Sequence, residues 1–149
     1  MKSAIQEIID RETLAWNTQN VDLLISVFHP DMVWPWPKDS SAHDPMDWII
    51  VQGRFDRKRW ASGWQELFDS HALIHNERVT KKVDLSREGD GAFAVVDINT
   101  LWKNHKTGEQ MNWLGRTGKT YTKVSDEWKM IHQLGVLDYA RAKPKVHGT

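Results

Sequence analysis

The sequence predicts an α+β domain, with helices in its first half and an antiparallel sheet in its second. Two observations carry that prediction. Up to about residue 70, apolar residues recur at helical spacing. Beyond it they alternate, and three polar turns cut the alternation into four runs. The length of 149 residues favours one core, and so a single domain over residues 1–149. Helices segregated to one side of an antiparallel sheet suit this order. A strongly curved sheet closing over three N-terminal helices would leave a cone with one open mouth.

Residues 3–17 read as an amphipathic helix, with Ile5, Ile8, Ile9, Ala15 and Trp16 on one stripe. Glu12 falls within that stripe, one turn from Ile8 and from Trp16. Asn20 is placed to cap a short helix over 21–28, with Asp22 in its first turn. His29-Pro30-Asp31 ends it, because proline cannot continue a helix. Residues 32–36 are extended, so Met32, Trp34 and Trp36 share a face. Pro35 removes a donor between them and marks an edge or a strand end. A polar loop follows, then a short apolar run over 48–51 closed by Gly53. Residues 54–69 form the third helix, with Arg57, Trp60, Ala61, Trp64, Leu67 and Phe68 on its stripe. Strands are expected over 71–85, 92–103, 111–124 and 128–137, joined by SREGDG, NHKTGE and SDE. The basic tail, 140–149, is expected to fray.

Composition excludes several classes of function. Lys plus Arg and Asp plus Glu number 20 each, for zero formal net charge. A nucleic-acid binder would normally show a basic stripe. The short runs Arg57-Lys58-Arg59 and Lys81-Lys82 read as solvated surface. The absence of cysteine excludes disulfides, thiol nucleophiles and thiolate metal sites. The N-terminus is charged throughout, unlike a signal peptide, and no apolar run approaches a membrane span, so a cytoplasmic location is expected. Tryptophan outnumbers phenylalanine nine to four. Trp couples a large apolar face to one N–H donor, which suits ligand walls and interfaces.

Several segments together resemble the NTF2-like superfamily, and within it the SnoaL-like proteins. AWNTQNVDLLISVFHPDMVW resembles the family's opening helix, acidic turn, helix and strand. IIVQGRF resembles the start of its third helix. GDGAFAVVDINTLW and GRTGKTYTKVSDEWKMIHQLG resemble its closing strands, ending in a Trp-Lys-x-Ile pattern. The resemblance covers about residues 5–139. It implies a cone formed by a bent sheet around a long helix, an apolar pocket, and often a homodimer through the outer sheet face. Members include isomerases, cyclases, dehydratases and domains without catalysis, so the fold does not set the reaction.

Laid over strand parity, the family register puts Trp34 and Trp36 inside the cone, with Trp60 and Trp64 as the opposite wall. Trp36 then stands where ketosteroid-isomerase relatives keep a catalytic aspartate, which argues against an isomerase of that type. The overlay also turns inward Val95, Asp97 and Asn99 from one strand, and Arg116, Gly118 and Thr120 from the next. Outward placement of Asp97 and Asn99 is the alternative, with Ala94, Val96, Ile98 and Trp102 as core. Glu12 must find a partner, take up a proton or lie at the boundary with solvent, because an unpaired buried carboxylate costs several kcal/mol. Partial desolvation would raise its pKa and suit it to acid/base work. Arg116 is expected to pair with Asp97 or Glu12, or to clamp a substrate oxyanion.

The seven histidines, at positions 29, 43, 71, 75, 105, 132 and 147, offer no set of three at metal-ligand spacing. His71 and His75 are four apart, but that spacing aligns ligands only on a helix. Neither a metal nor another cofactor is expected. His132 alternates with Trp128 and Met130, which the overlay turns outward to a dimer face. There is no phosphate loop and no Ser-His-Asp ordering. The expected function is binding of a small apolar or aromatic ligand, with Glu12, Asp97 and Arg116 as candidate catalytic groups. Trp34, Trp36, Trp60, Trp64, Val95, Asn99 and Thr120 are the candidate binding residues. A non-catalytic dimeric module is the alternative.

Overall fold

Lys2–Asn17 forms one α-helix, α1, whose buried residues Ile5, Ile8, Ile9, Glu12, Ala15 and Trp16 recur three or four apart. The computed structural model describes residues 2–138; the basic tail lies outside them. Val21–Ile25 forms α2, capped by Asn20, whose side chain accepts from the Leu23 N–H at 3.1 Å. This helix is shorter than predicted. Its chain peels away because the backbone of Val27 and His29 bonds Met130 on the last strand, at 2.8 Å each.

Pro35–Pro37 (β1) and Trp48–Ile50 (β2) pair antiparallel as a separate two-stranded sheet. The strand predicted from Met32 pairs only from Pro35. Its proline-bounded, three-residue length is that of a short edge ribbon. Arg57–Ser70 is α3, and it starts three residues later than predicted because Asp56 caps it, accepting from the Arg59 N–H at 2.9 Å.

The main sheet is antiparallel in chain order: β3 (His71–Leu85), β4 (Gly91–Asn104), β5 (Gln110–Val124) and β6 (Glu127–Leu137). It is open, with β3 and β6 as its edges, and does not close into a barrel. Ser125 and Asp126 both take positive φ in the last hairpin, the geometry that matches strand twist in a two-residue turn. In β3, Ile74 and Lys81 are extra residues at breaks in the pairing, and such bulges bend a strand.

The overlay's register for β4 and β5 is corrected by one residue. Ala92, Ala94, Val96, Ile98, Thr100 and Trp102 of β4 are buried, and so are Gly115, Thr117, Lys119 and Tyr121 of β5. Val95, Asp97, Asn99, Arg116, Gly118 and Thr120 therefore share the outer face, where they pair as Asp97 with Arg116 and Val95 with Gly118. The side-chain period is two, so a one-residue slip exchanges the faces. The larger apolar set, ending in Trp102, takes the side covered by the helices.

A second correction concerns β6. Thr120 pairs with His132 but Tyr121 with Met130, leaving Ile131 as a bulge. The bulge separates Met130 and His132. Met130 is fully buried and Trp128 packs against the core, while His132 shares the face of Thr120. Among the described residues, no helix is long and apolar enough to cross a membrane.

Candidate functional site

A cavity of about 420 Å³ lies between α1, α3, β1 and the inner face of the main sheet. That volume is in the range of small-molecule pockets. Its walls are indoles: Trp16 from α1, Trp34 and Trp36 from the β1 segment, Trp64 from α3 and Trp113 from β5. They brace one another. Trp16 meets Trp64 edge-on at 5.1 Å and Trp113 at 5.7 Å, and Trp34 meets Trp36 edge-on at 5.7 Å. Such pairs add about 0.5–1.5 kcal/mol each beyond area burial.

Trp60 does not line the cavity. It is fully buried behind the wall, against Phe28 at 5.0 Å and Phe55 at 5.2 Å. One helical turn separates it from Trp64, but the curve of the wall leaves only Trp64 in front. Gly135 on β6 is a residue that sequence reasoning missed. A Cβ there would stand 2.7 Å from the edge of the Trp36 ring, so glycine lets that ring lie against the sheet.

The cavity's polar end is built around Glu12, which is buried. Lys119 Nζ donates to both of its carboxylate oxygens, at 2.9 and 3.1 Å. The Trp16 indole N–H donates to Oε2 at 3.0 Å, one helical turn along α1. Arg78 from β3 brings Nη1 to 3.6 Å from Oε2. Lys119 gives its third bond to Gln133 Oε1 at 2.8 Å, its direct neighbour across β5 and β6. Arg78 is held in turn by Asn76 Oδ1 at 2.9 Å and Thr100 Oγ1 at 3.3 Å, with its guanidinium 5.7 Å from the Trp16 ring centroid.

Each titration shift here follows from burial and charge. Burial alone would raise the Glu12 carboxyl, but the Lys119 and Arg78 charges and the bonds from Trp16 and Lys119 outweigh it. Glu12 is thereby held below the usual glutamate range. Burial lowers Lys119, the nearby Arg78 charge adds to that, and Glu12 opposes both. Burial likewise lowers Arg78. The expectation that desolvation raises the Glu12 pKa is thus reversed, because the carboxylate has found partners.

Asp97 and Arg116 do pair, bidentately at 2.6 and 3.0 Å, but on the outer face with each side chain about a third exposed. The bond from Arg116 holds the Asp97 carboxyl below its ordinary range. Neither residue reaches Glu12 or the cavity, and nor do Val95, Asn99 or Thr120. Asp97 and Asn99 instead border a separate outer groove with Leu114. Of the ten candidates, the structure gathers Glu12, Trp34, Trp36 and Trp64. Lys119, Arg78 and Gln133 were missed. Their signal was the opposite strand parity: once Ile98 faces inward, antiparallel pairing brings Arg78, Thr117 and Lys119 in with it.

The SnoaL-like domain model matches residues 1–133. The chain belongs to the SnoaL-like domain family. None of the curated proteins compared by sequence matches it. Solved structures share its NTF2-like fold at low identity. A ketosteroid isomerase-like protein from Erwinia carotovora atroseptica is 15% identical, with 89% of this chain and 92% of that one covered and a TM-score of 0.67. A protein assigned as a scytalone dehydratase from Novosphingobium aromaticivorans is 11% identical, covering 90% and 81%, with a TM-score of 0.65. A type 2 hexachlorocyclohexane dehydrochlorinase is 12% identical, covering 93% and 85%, also at 0.65.

Within this SnoaL-like cavity the chemistry available is limited and definite. Lys119 and Arg78 are cationic donors set at the end of an apolar chamber, where the low local dielectric strengthens the bonds they make. Glu12 is an ionised carboxylate with both oxygens engaged. It holds Lys119 in place, and it can take a proton only by loosening that contact. Among the described residues, no cluster of three His, Cys, Asp or Glu side chains could hold a metal ion.

Proposed function

We propose that this protein binds a small, ring-bearing organic molecule in the tryptophan-walled cavity, with the ligand's polar group against Glu12, Lys119 and Arg78. The observation that carries this reading is a chamber of about 420 Å³ with indoles around its sides and ionised groups at one end. Flat apolar walls favour a ring, and the charged end orients it. The structural relatives support the class: an isomerase-like protein, a protein assigned as a dehydratase and a dehydrochlorinase all carry names of small-molecule enzymes. Any cofactor-free acid/base step, such as isomerisation, cyclisation or dehydration, falls to the Glu12–Lys119 pair. Titration with polycyclic and aromatic carbonyl compounds, followed by Trp fluorescence, tests the proposal. Saturable quenching that is lost in Trp64→Ala supports it, and a panel giving no saturable change overturns it.

The outer sheet face supports a second feature, pairing of two copies of the chain. Val79, Phe93 and Leu114 are exposed there beside the Asp97–Arg116 pair. Sedimentation of the intact chain, compared with Leu114→Glu, tests it: a dimer that this substitution splits supports it, and a monomer at all concentrations removes it.

A further inference from the structure

The ion count of the cavity goes further than its shape. Three of its lining residues are ionisable: Glu12, Arg78 and Lys119. Arg78 keeps its proton at any accessible pH. Lys119 has three ammonium donors and three acceptors, two on Glu12 and one on Gln133, which is the hydrogen-bond pattern of the charged amine. Glu12 is the one fully buried carboxylate among the described residues. Two cations therefore face one anion at the end of an apolar chamber, leaving one positive charge uncompensated.

Arg78 is where that surplus is available. Its Nε–H bonds Asn76, one Nη2–H reaches Thr100 at 3.3 Å, and Nη1 stands 3.6 Å from Glu12, beyond hydrogen-bond distance. A guanidinium has five N–H donors, so among the described residues most of the fork is unspent, although the side chain is only 6% exposed. Water satisfies such a group while the cavity is wet. A neutral apolar ligand would expel that water and strand the charge, at a cost of several kcal/mol. An anion would replace it with a charge-assisted, two-pronged contact.

We infer that the ligand of this cavity is a ring-bearing organic anion, its carboxylate or comparable oxyanion held by Arg78 with Lys119 behind it. This rests on the cavity being a ligand site, and the test separates the two. The probes are matched pairs of aromatic carboxylates and their carboxamides with one, two and three fused rings, for example 2-naphthoate and 2-naphthamide. Trp fluorescence titration of the intact chain at pH 7 reads their affinities. The expected result is a carboxylate bound at least about tenfold more tightly than its amide, in at least one pair. Arg78→Met should abolish that preference, and Arg78→Lys, which keeps charge and bulk but not the fork, should retain part of it. Amides that bind as tightly as the carboxylates would overturn the anion inference while leaving the cavity reading intact. Saturation by neither series would overturn both. Should Arg78→Met fail to fold, the wild-type pairs and Arg78→Lys decide the matter.

Discussion

Replacing Glu12 with glutamine should harm the fold more than removing its lysine partner, and the charge count explains why. In Glu12→Gln, Lys119 and Arg78 remain buried with no carboxylate between them. Removing one partner of a buried ion pair costs about 3–5 kcal/mol, because the other charge is left stranded. Two stranded cations put the expected loss at the upper end, about 4–5 kcal/mol, a large share of the ~5–15 kcal/mol that holds a domain folded. In Lys119→Met the carboxylate keeps the Trp16 N–H at 3.0 Å and Arg78 at 3.6 Å, so the buried charges cancel. The loss is then mainly one hydrogen-bonded partner, about 1–3 kcal/mol. The double variant restores the wild-type net charge and should be more stable than Glu12→Gln alone, a non-additivity that a double-mutant cycle reads directly. The sign with pH follows as well. Lys119 is lowered in the fold, so between its folded and unfolded values the unfolded chain holds more protons and stability rises with pH. Glu12→Gln should therefore recover stability as pH rises from the lowered folded value of Lys119 toward the unfolded lysine value of about 10.4. Urea unfolding at each pH is the assay. A loss below about 1 kcal/mol in Glu12→Gln, or a larger loss in Lys119→Met, would show that charge imbalance does not control this cluster.

Other substitutions probe the surrounding structure. Glu12 is held below the usual glutamate range, so its contribution is present above about pH 4.3 and is lost as pH falls through the lower folded value; acid should cost the wild type more stability than Glu12→Gln, measured by urea unfolding at pH 3 and pH 6. Gly135→Ala should push the Trp36 ring off the sheet, seen as a changed Trp emission and weaker ligand quenching, and unchanged values would free Gly135 of that role. Among the described residues the buried Tyr121 hydroxyl has no hydrogen-bond partner, so Tyr121→Phe should be neutral or stabilising within about 1 kcal/mol, whereas a loss above about 2 kcal/mol would reveal a bonded hydroxyl. Asp97→Asn breaks a half-exposed pair on the outer face, with an expected loss of at most about 1 kcal/mol and unchanged ligand affinity; a fall in affinity would tie that face to the cavity.

Local pattern alone determined the order of helices and strands, and did so closely: β3 spans the predicted residues, and the other sheet strands differ by a residue or so at their ends. It also marked Glu12 as a carboxylate in an apolar stripe that had to find a partner, and put Trp34 and Trp36 on one side of their segment. Those features depend on spacing over a few residues, where the helical and extended periods act directly. Tertiary packing decided the rest. Alternation in β4 defines two faces without saying which is inside, because Val95 and Leu101 make the outer face partly apolar too. Only the competition to cover Ala94, Val96, Ile98 and Trp102 settled it. The partner of Glu12 lies 107 residues away on β5, and the bulge at Ile131 that separates Met130 from His132 exists only in the pairing of two strands. A charge inside a core is satisfied by whichever group the sheet's register carries to it, and register is a property of the assembled strands.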